Sequence, residues 1–120
     1  MTIKDAFQSY APMTARVAVY VPGTSGPADD DAALAERMTA ETAAALSGLF
    51  GGATISPASG AWVSETFGLV REAVNVVYSF TAPETLDRYG AEILEIVQRV
   101  KQEMRQECVS CEINGGLYLV

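Results

Sequence analysis

The stretch "LVREAVNVVYSFTAPETLDRYG", residues 69–90, decides the architecture of this chain. Its first part alternates. Val74, Val76, Tyr78 and Phe80 share one side of an extended chain, and Ala73, Asn75, Val77 and Ser79 share the other, because successive strand side chains point to opposite faces. At Thr81 the period changes. Thr81 and Glu84 have the spacing of a capping box, and Pro83 suits a first helical turn. Leu86, Tyr89, Ile93, Val97, Val100 and Met104 then recur at helical intervals. Gly90, beside that stripe, allows close approach to a sheet. Glu84–Arg88, Arg88–Glu92 and Glu95–Arg99 lie one turn apart on the wet side.

Working outward, "ATIS" (53–56) and "AWVSE" (61–65) read as strand, broken by "PASG", and pair with 69–81 across a turn near Glu65 to Gly68. A helix precedes them. Asp29, Asp30 and Asp31 open it as caps and as charges at the positive end of the dipole. Leu34, Met38, Ala45, Leu46 and Leu49 form its buried stripe, and Gly51 is its left-handed cap. "ARVAVYVP" (15–22) is a strand with Val17, Val19 and Val21 on one face and Arg16, Ala18 and Tyr20 on the other. The end, "CVSCEINGGLYLV" (108–120), is a strand at 108–113, a type I′ turn at Asn114-Gly115 and a partner at 116–120.

The order is β-α-β-β-α-β with a small C-terminal hairpin. This predicts an α+β, ferredoxin-like domain over residues 15–120, with two helices on one face of an antiparallel sheet. Residues 1–14 read as an arm with a helical turn around Ile3 to Ser9. If the valine-rich faces meet the helices, the other sheet face carries Arg16, Tyr20, Asn75, Cys108, Glu112 and Trp62. The opposite assignment is open as well, because Tyr78 and Phe80 share the face of Val74 and Val76.

At 120 residues and 49% apolar, the chain supports one core without metal or disulfides. Its formal charge of −7 opposes binding to phosphate backbones and anionic membranes, so neither nucleic acid nor membrane is expected as a partner. The first residues lack a signal-peptide pattern and no segment reaches membrane-span length, which points to the cytoplasm. The chain has no histidine. Imidazole-dependent triads and metal sites are therefore excluded, leaving carboxylates, Tyr, Lys and Cys for any acid–base work. No metal and no cofactor are expected.

"GG" at 51–52 follows a helix, whereas a phosphate cradle needs glycines ahead of one. The residues "FGGAT" (50–54), the Gly60/Trp62 pair, Glu72 before a valine-rich strand, and Gln106, Glu107, Val109, Ile113, Asn114, Gly115 and Gly116 carry a resemblance. Over roughly residues 15–120 the chain resembles a family of small bacterial and phage-borne proteins with a ferredoxin-like fold and no assigned activity. It is also loosely similar to the dimeric α+β barrel group, in which two such sheets face each other. Some members of that group are monooxygenases or heme-handling enzymes, and many use a histidine that this chain lacks.

Several residues are candidates for chemistry. Cys108 and Cys111 have C-x-x-C spacing, but the motif enters a strand, so the two thiols face opposite ways and Cys111 joins the core. Arg71, Glu72 and Asn75 put polarity into an apolar strand. Glu72 on the face of Val74 and Val76 is either a rim charge or, if enclosed, a carboxylate with a shifted pKa. Tyr20, Trp62, Asn75 and Tyr78 are the candidate ligand-binding or interface residues. Two readings follow. One is a soluble, self-associating module, expected as a homodimer, that binds a protein or a small ligand through its open sheet face. The other is a cofactor-independent enzyme with a pocket between sheet and partner subunit, Glu72 as general base and Arg71 or Arg16 holding an anion.

Overall fold

The computed structural model describes residues 1–23 and 30–120. The expected Asp29–Asp31 cap lies outside the described residues, apart from the backbone of Asp30 and Asp31. The elements are α1 (Ile3–Ala6), β1 (Ala15–Pro22), α2 (Asp30–Phe50), β2 (Thr54–Ser64), β3 (Gly68–Thr81), α3 (Pro83–Arg88), α4 (Gly90–Glu103), β4 (Ser110–Ile113) and β5 (Gly116–Leu119). The fold is mixed α+β, with a five-stranded antiparallel sheet in the order β2-β3-β1-β4-β5.

Register assigns the sheet faces. Val19 stands opposite both Val77 on β3 and Cys111 on β4, and Val17 stands opposite Ser79 and Ile113. These residues pack under α2 and α4, where Val17, Val19, Val21, Met38, Leu46, Val77, Val97 and Val100 are essentially fully buried. The valine face of β1 therefore meets the helices, as expected. On β3 the expected face is reversed. Val77, Ser79 and Asn75 point to the helices, while Val74, Val76, Tyr78 and Phe80 lie on the open side with Tyr20 and Arg16. Asn75 and Ser79 are tolerated below the helices because they are paired. Asn75 Nδ2–H donates to Thr39 Oγ1 (3.2 Å), Thr39 donates to the Ala35 carbonyl (2.7 Å), and Ser79 donates to the Gly52 carbonyl (2.6 Å).

Three local expectations change. β2 runs unbroken through "PASG", because it is an edge strand and Pro57 opposes Asn75 without owing a hydrogen bond on the outer side. The second helical region divides at Tyr89, and its N-cap is Ala82 with no side-chain cap bond. Thr81 is not a cap but the buried last residue of β3. Arg99 does not pair within α4. It reaches Glu41 on α2 at 3.1 Å. In α2 the buried stripe is Ala35, Met38, Thr39, Thr42 and Leu46, whereas Ala45 is exposed. Gly51 (φ 87°) ends α2, and Asn114 and Gly115 (φ 50° and 85°) form the left-handed turn between β4 and β5.

β3 pairs with β1 only over residues 74–81, so the outer part of the β2–β3 hairpin projects beyond the core. The α1 segment leaves from the other end, where Ala15 opposes Thr81. The molecule is accordingly elongated, 53 × 30 × 22 Å, with a Cα radius of gyration of 16.3 Å, against about 14 Å for a compact chain of this length. Among the described residues no helix is long and apolar enough to cross a membrane.

Candidate functional site

The open sheet face has two polar constellations on an apolar ground. The first lies over β1 and β4. Alternation puts Arg16, Ala18 and Tyr20 on this face, and register sets Ala18 opposite both Tyr78 and Glu112. The Arg16 guanidinium lies 4.2 Å from the Tyr78 ring centre and 5.8 Å from that of Phe80, a cation–π arrangement. Its Nε is 3.7 Å from Glu112 Oε2, and the Tyr20 hydroxyl donates to Glu112 Oε1 at 3.2 Å. Burial and the neighbouring Glu112 charge push the Tyr20 phenol above its ordinary value. Tyr20 is thus a hydrogen-bond donor at neutral pH and not a base.

The second constellation lies where the hairpin leaves the core. Gly60 opposes Glu72 and Trp62 opposes Val70, so Trp62 and Glu72 are diagonal neighbours on one face. Trp62 Nε1–H donates to Glu72 Oε1 at 3.3 Å, and the indole is 51% exposed. Among the described residues no Lys or Arg pairs with Glu72. A cleft of about 240 Å³ joins the two constellations, lined by Tyr20, Gly60, Glu72, Val74, Cys108 and Ser110. Gly60 keeps its floor open, since the position carries no side chain.

The structure therefore brings together Tyr20, Trp62, Glu72 and Cys108, and it places Tyr78 on the same face against Arg16. It separates two of the expected residues. Asn75 lies on the helix side against Thr39. Arg71 opposes Ala61 and points away from its neighbour Glu72, so it cannot hold an anion beside that carboxylate. Sequence reasoning missed the lining roles of Gly60, Gln106 and Ser110. These depend on the β2–β3 register and on where the 104–109 connection returns, neither of which leaves a periodic signal. Cys108 is exposed and Cys111 buried, as the C-x-x-C reading expects. Among the described residues no group of three His, Cys, Asp or Glu side chains is placed to hold a metal ion.

No family model matches the chain, and no curated protein matches it. Solved structures do. A phage SAM lyase in complex with S-methyl-5′-thioadenosine superposes with a TM-score of 0.63 at 17% identity, covering 92% of this chain and 91% of that one. The apo form of a phage SAM lyase gives 0.58 at 16% identity, covering 88% and 87%. CutA from Synechococcus elongatus gives 0.49 at 16% identity, covering 85% and 76%. At such identities the likeness is one of fold, and function belongs to the site.

Proposed function

We propose that this chain is a ferredoxin-like, self-associating protein that binds a small organic cation on its open sheet face, between Tyr20, Trp62 and Glu72. The observation that carries the reading is the Trp62–Glu72 pair. Glu72, which has no basic partner among the described residues, lines a cleft with no Lys or Arg among its described lining residues, and the Trp62 indole is hydrogen-bonded to that carboxylate. Such a site favours a positive ligand with a flat apolar part and disfavours phosphates and other anions. The cleft is open and smaller than most drug-sized sites, which fits a ligand enclosed only when a second copy covers the face, expected in a homodimer. The likeness of fold to a SAM lyase holding S-methyl-5′-thioadenosine makes an adenosyl sulfonium the first ligand to test.

Trp62 is the sole tryptophan and reports directly on the site. Its fluorescence should respond to S-adenosylmethionine and S-methyl-5′-thioadenosine and not to ATP. Glu72→Gln should weaken the sulfonium roughly tenfold or more, and the neutral thioether much less. Equal loss for both, or no response to either, overturns the reading.

The unpaired state of Glu72 favours a second reading, cofactor-independent cleavage of the same ligand. The C–S bond breaks with its electron pair passing to sulfur, the neutral thioether leaves, and Glu72 accepts the proton lost by the departing carbon fragment. Release of S-methyl-5′-thioadenosine from S-adenosylmethionine, followed by mass spectrometry and lost in Glu72→Gln, is the expected result. Binding without release leaves the chain a ligand-binding module.

A further inference from the structure

Residues 1–14 are exposed throughout, yet they are not a polar tail. Ile3, Phe7, Tyr10 and Met13 are 79%, 59%, 73% and 63% exposed. Ile3, Phe7, Tyr10 and Pro12 border a hollow of about 540 Å³ whose described lining comes from this segment alone. The Phe7 and Tyr10 rings lie 6.2 Å apart at 58°. The turn is organised from within. Thr2 Oγ1 accepts from the Asp5 N–H, an Asp5 carboxylate oxygen accepts from the Thr2 N–H, and the backbone bonds of residues 6–10 return to residues 2–7. A four-residue helix gains too little from its own bonds to persist in water, so its lasting order requires packing. Among the described residues nothing buries it, and residues 1–14 all stay exposed.

We infer that this segment is a strap which seats Phe7 and Tyr10 on the open sheet face of a second copy of the chain. The inference rests on the self-association proposed above and names the segment that drives it. The receiving surface is the exposed apolar flank of that face on either side of the Arg16–Glu112 pair, Phe80 on β3 and Leu117 and Leu119 on β5. Phe80 opposes Arg16, Leu117 opposes Glu112 and Leu119 opposes Ser110, so all three lie on the open side. Each is about half exposed or more.

Area and charge both favour a second copy as the occupant. The Phe7 and Tyr10 side chains of one strap offer roughly 300–500 Å², since aromatic side chains bury 150–250 Å² each. Reciprocal exchange, counting both straps and both receiving patches, buries roughly 1,200–2,000 Å², the size of a stable interface. Residues 1–14 carry one cation, Lys4, and one anion, Asp5, while the remaining chain carries the whole formal charge of −7. Two such bodies repel when they meet directly, and a largely apolar strap of zero net charge joins them without that penalty.

The test uses the full chain in analytical ultracentrifugation, comparing wild type with the double variant Phe7→Ser/Tyr10→Ser and with Leu117→Glu. Wild type should sediment at twice the 12.7 kDa of one chain. Both variants should weaken the dimer roughly tenfold to hundredfold, as loss of interface anchors does. Circular dichroism of the strap variant should be unchanged, because none of its altered side chains touches the core. A wild-type dimer that survives Phe7→Ser/Tyr10→Ser overturns the strap and leaves self-association standing. A dimer that dissociates on changing the strap but survives Leu117→Glu overturns the receiving surface. A monomeric wild type overturns the strap and the self-association reading together.

Discussion

The buried thiol of Cys111 makes the folded chain sensitive to alkali in a way that can be worked out in advance. Cys111 lies on β4 opposite Val19 and is 2% exposed. Burial, and secondarily the charge of Glu112, push its pKa from 9.0 up to about 11. The unfolded chain ionises this thiol near 9, while the folded chain keeps the proton to about 11. Stability is therefore complete below pH 9 and falls as pH rises through the interval from 9 to 11. At pH 10 the loss is about 1.4 kcal/mol, and above pH 11 it approaches about 2.7 kcal/mol, two units at ~1.36 kcal/mol each. The Tyr20 phenol is also raised and adds a loss of the same sign at higher pH, so the comparison needs a variant. Cys111→Ala leaves a small cavity whose cost of about 1 kcal/mol does not vary with pH. Urea unfolding of both proteins at pH 7, 8, 9 and 10, under reductant, should show the wild-type advantage of about 1 kcal/mol falling by about 1.4 kcal/mol across the series, so that the variant is slightly the more stable at pH 10. Parallel curves for the two proteins would mean that the thiol ionises as it does in water, and the placement of β4 over Val19 would be wrong.

Other perturbations read other parts of the fold. Leu46→Ala, at a fully buried position of α2, should cost about 2–5 kcal/mol in urea unfolding. Gly23→Ala should cost about 1–3 kcal/mol, because the new Cβ would lie 2.7 Å from both the Cβ and the carbonyl oxygen of Ala73. A second change, Ala73→Gly, should return only part of that loss, since the carbonyl oxygen remains. Gly115→Ala places a side chain at φ 85° in the β4–β5 turn and should cost about 1–2 kcal/mol. With a maleimide reagent in native buffer, Cys108 should react and Cys111 should not, both reacting in denaturant.

How much of this was legible in the sequence differs between the two central strands. β1 has one apolar and one mixed face, so its burial follows from alternation alone. β3 has an apolar face and a mixed one, and it is the mixed set that is covered; alternation states which residues travel together without stating which set that is. Asn75 is the residue that misleads. A lone amide in a valine run reads as the wet face, but α2 offers Thr39 as its partner, and one hydrogen bond is enough to reverse the assignment. Only the register of β3 on β1, with Val77 across from Val19, decides the matter. Register between strands separated by a long helix has no local signal.

The same reasoning explains which half of the candidate site was visible. Glu72 stands out on its strand because a carboxylate shares a face with Val74 and Val76, and Trp62 because it is a large exposed aromatic beside glycine. Their contact is a diagonal pair across β2–β3. It follows from a turn at residues 65–67 once β2 is allowed to run through Pro57, and reading "PASG" as a break conceals it. Arg71 fails as an anion holder for the reason that makes Glu72 a candidate. Adjacent residues of a strand face opposite ways, so an Arg-Glu dipeptide in extended chain offers either charge to a given surface, never both. Among the described residues no cation compensates the Glu72 carboxylate of the open face, while Arg16 is engaged by Glu112 and by the rings of Tyr78 and Phe80. That asymmetry is the ground for the proposed preference for a positively charged ligand.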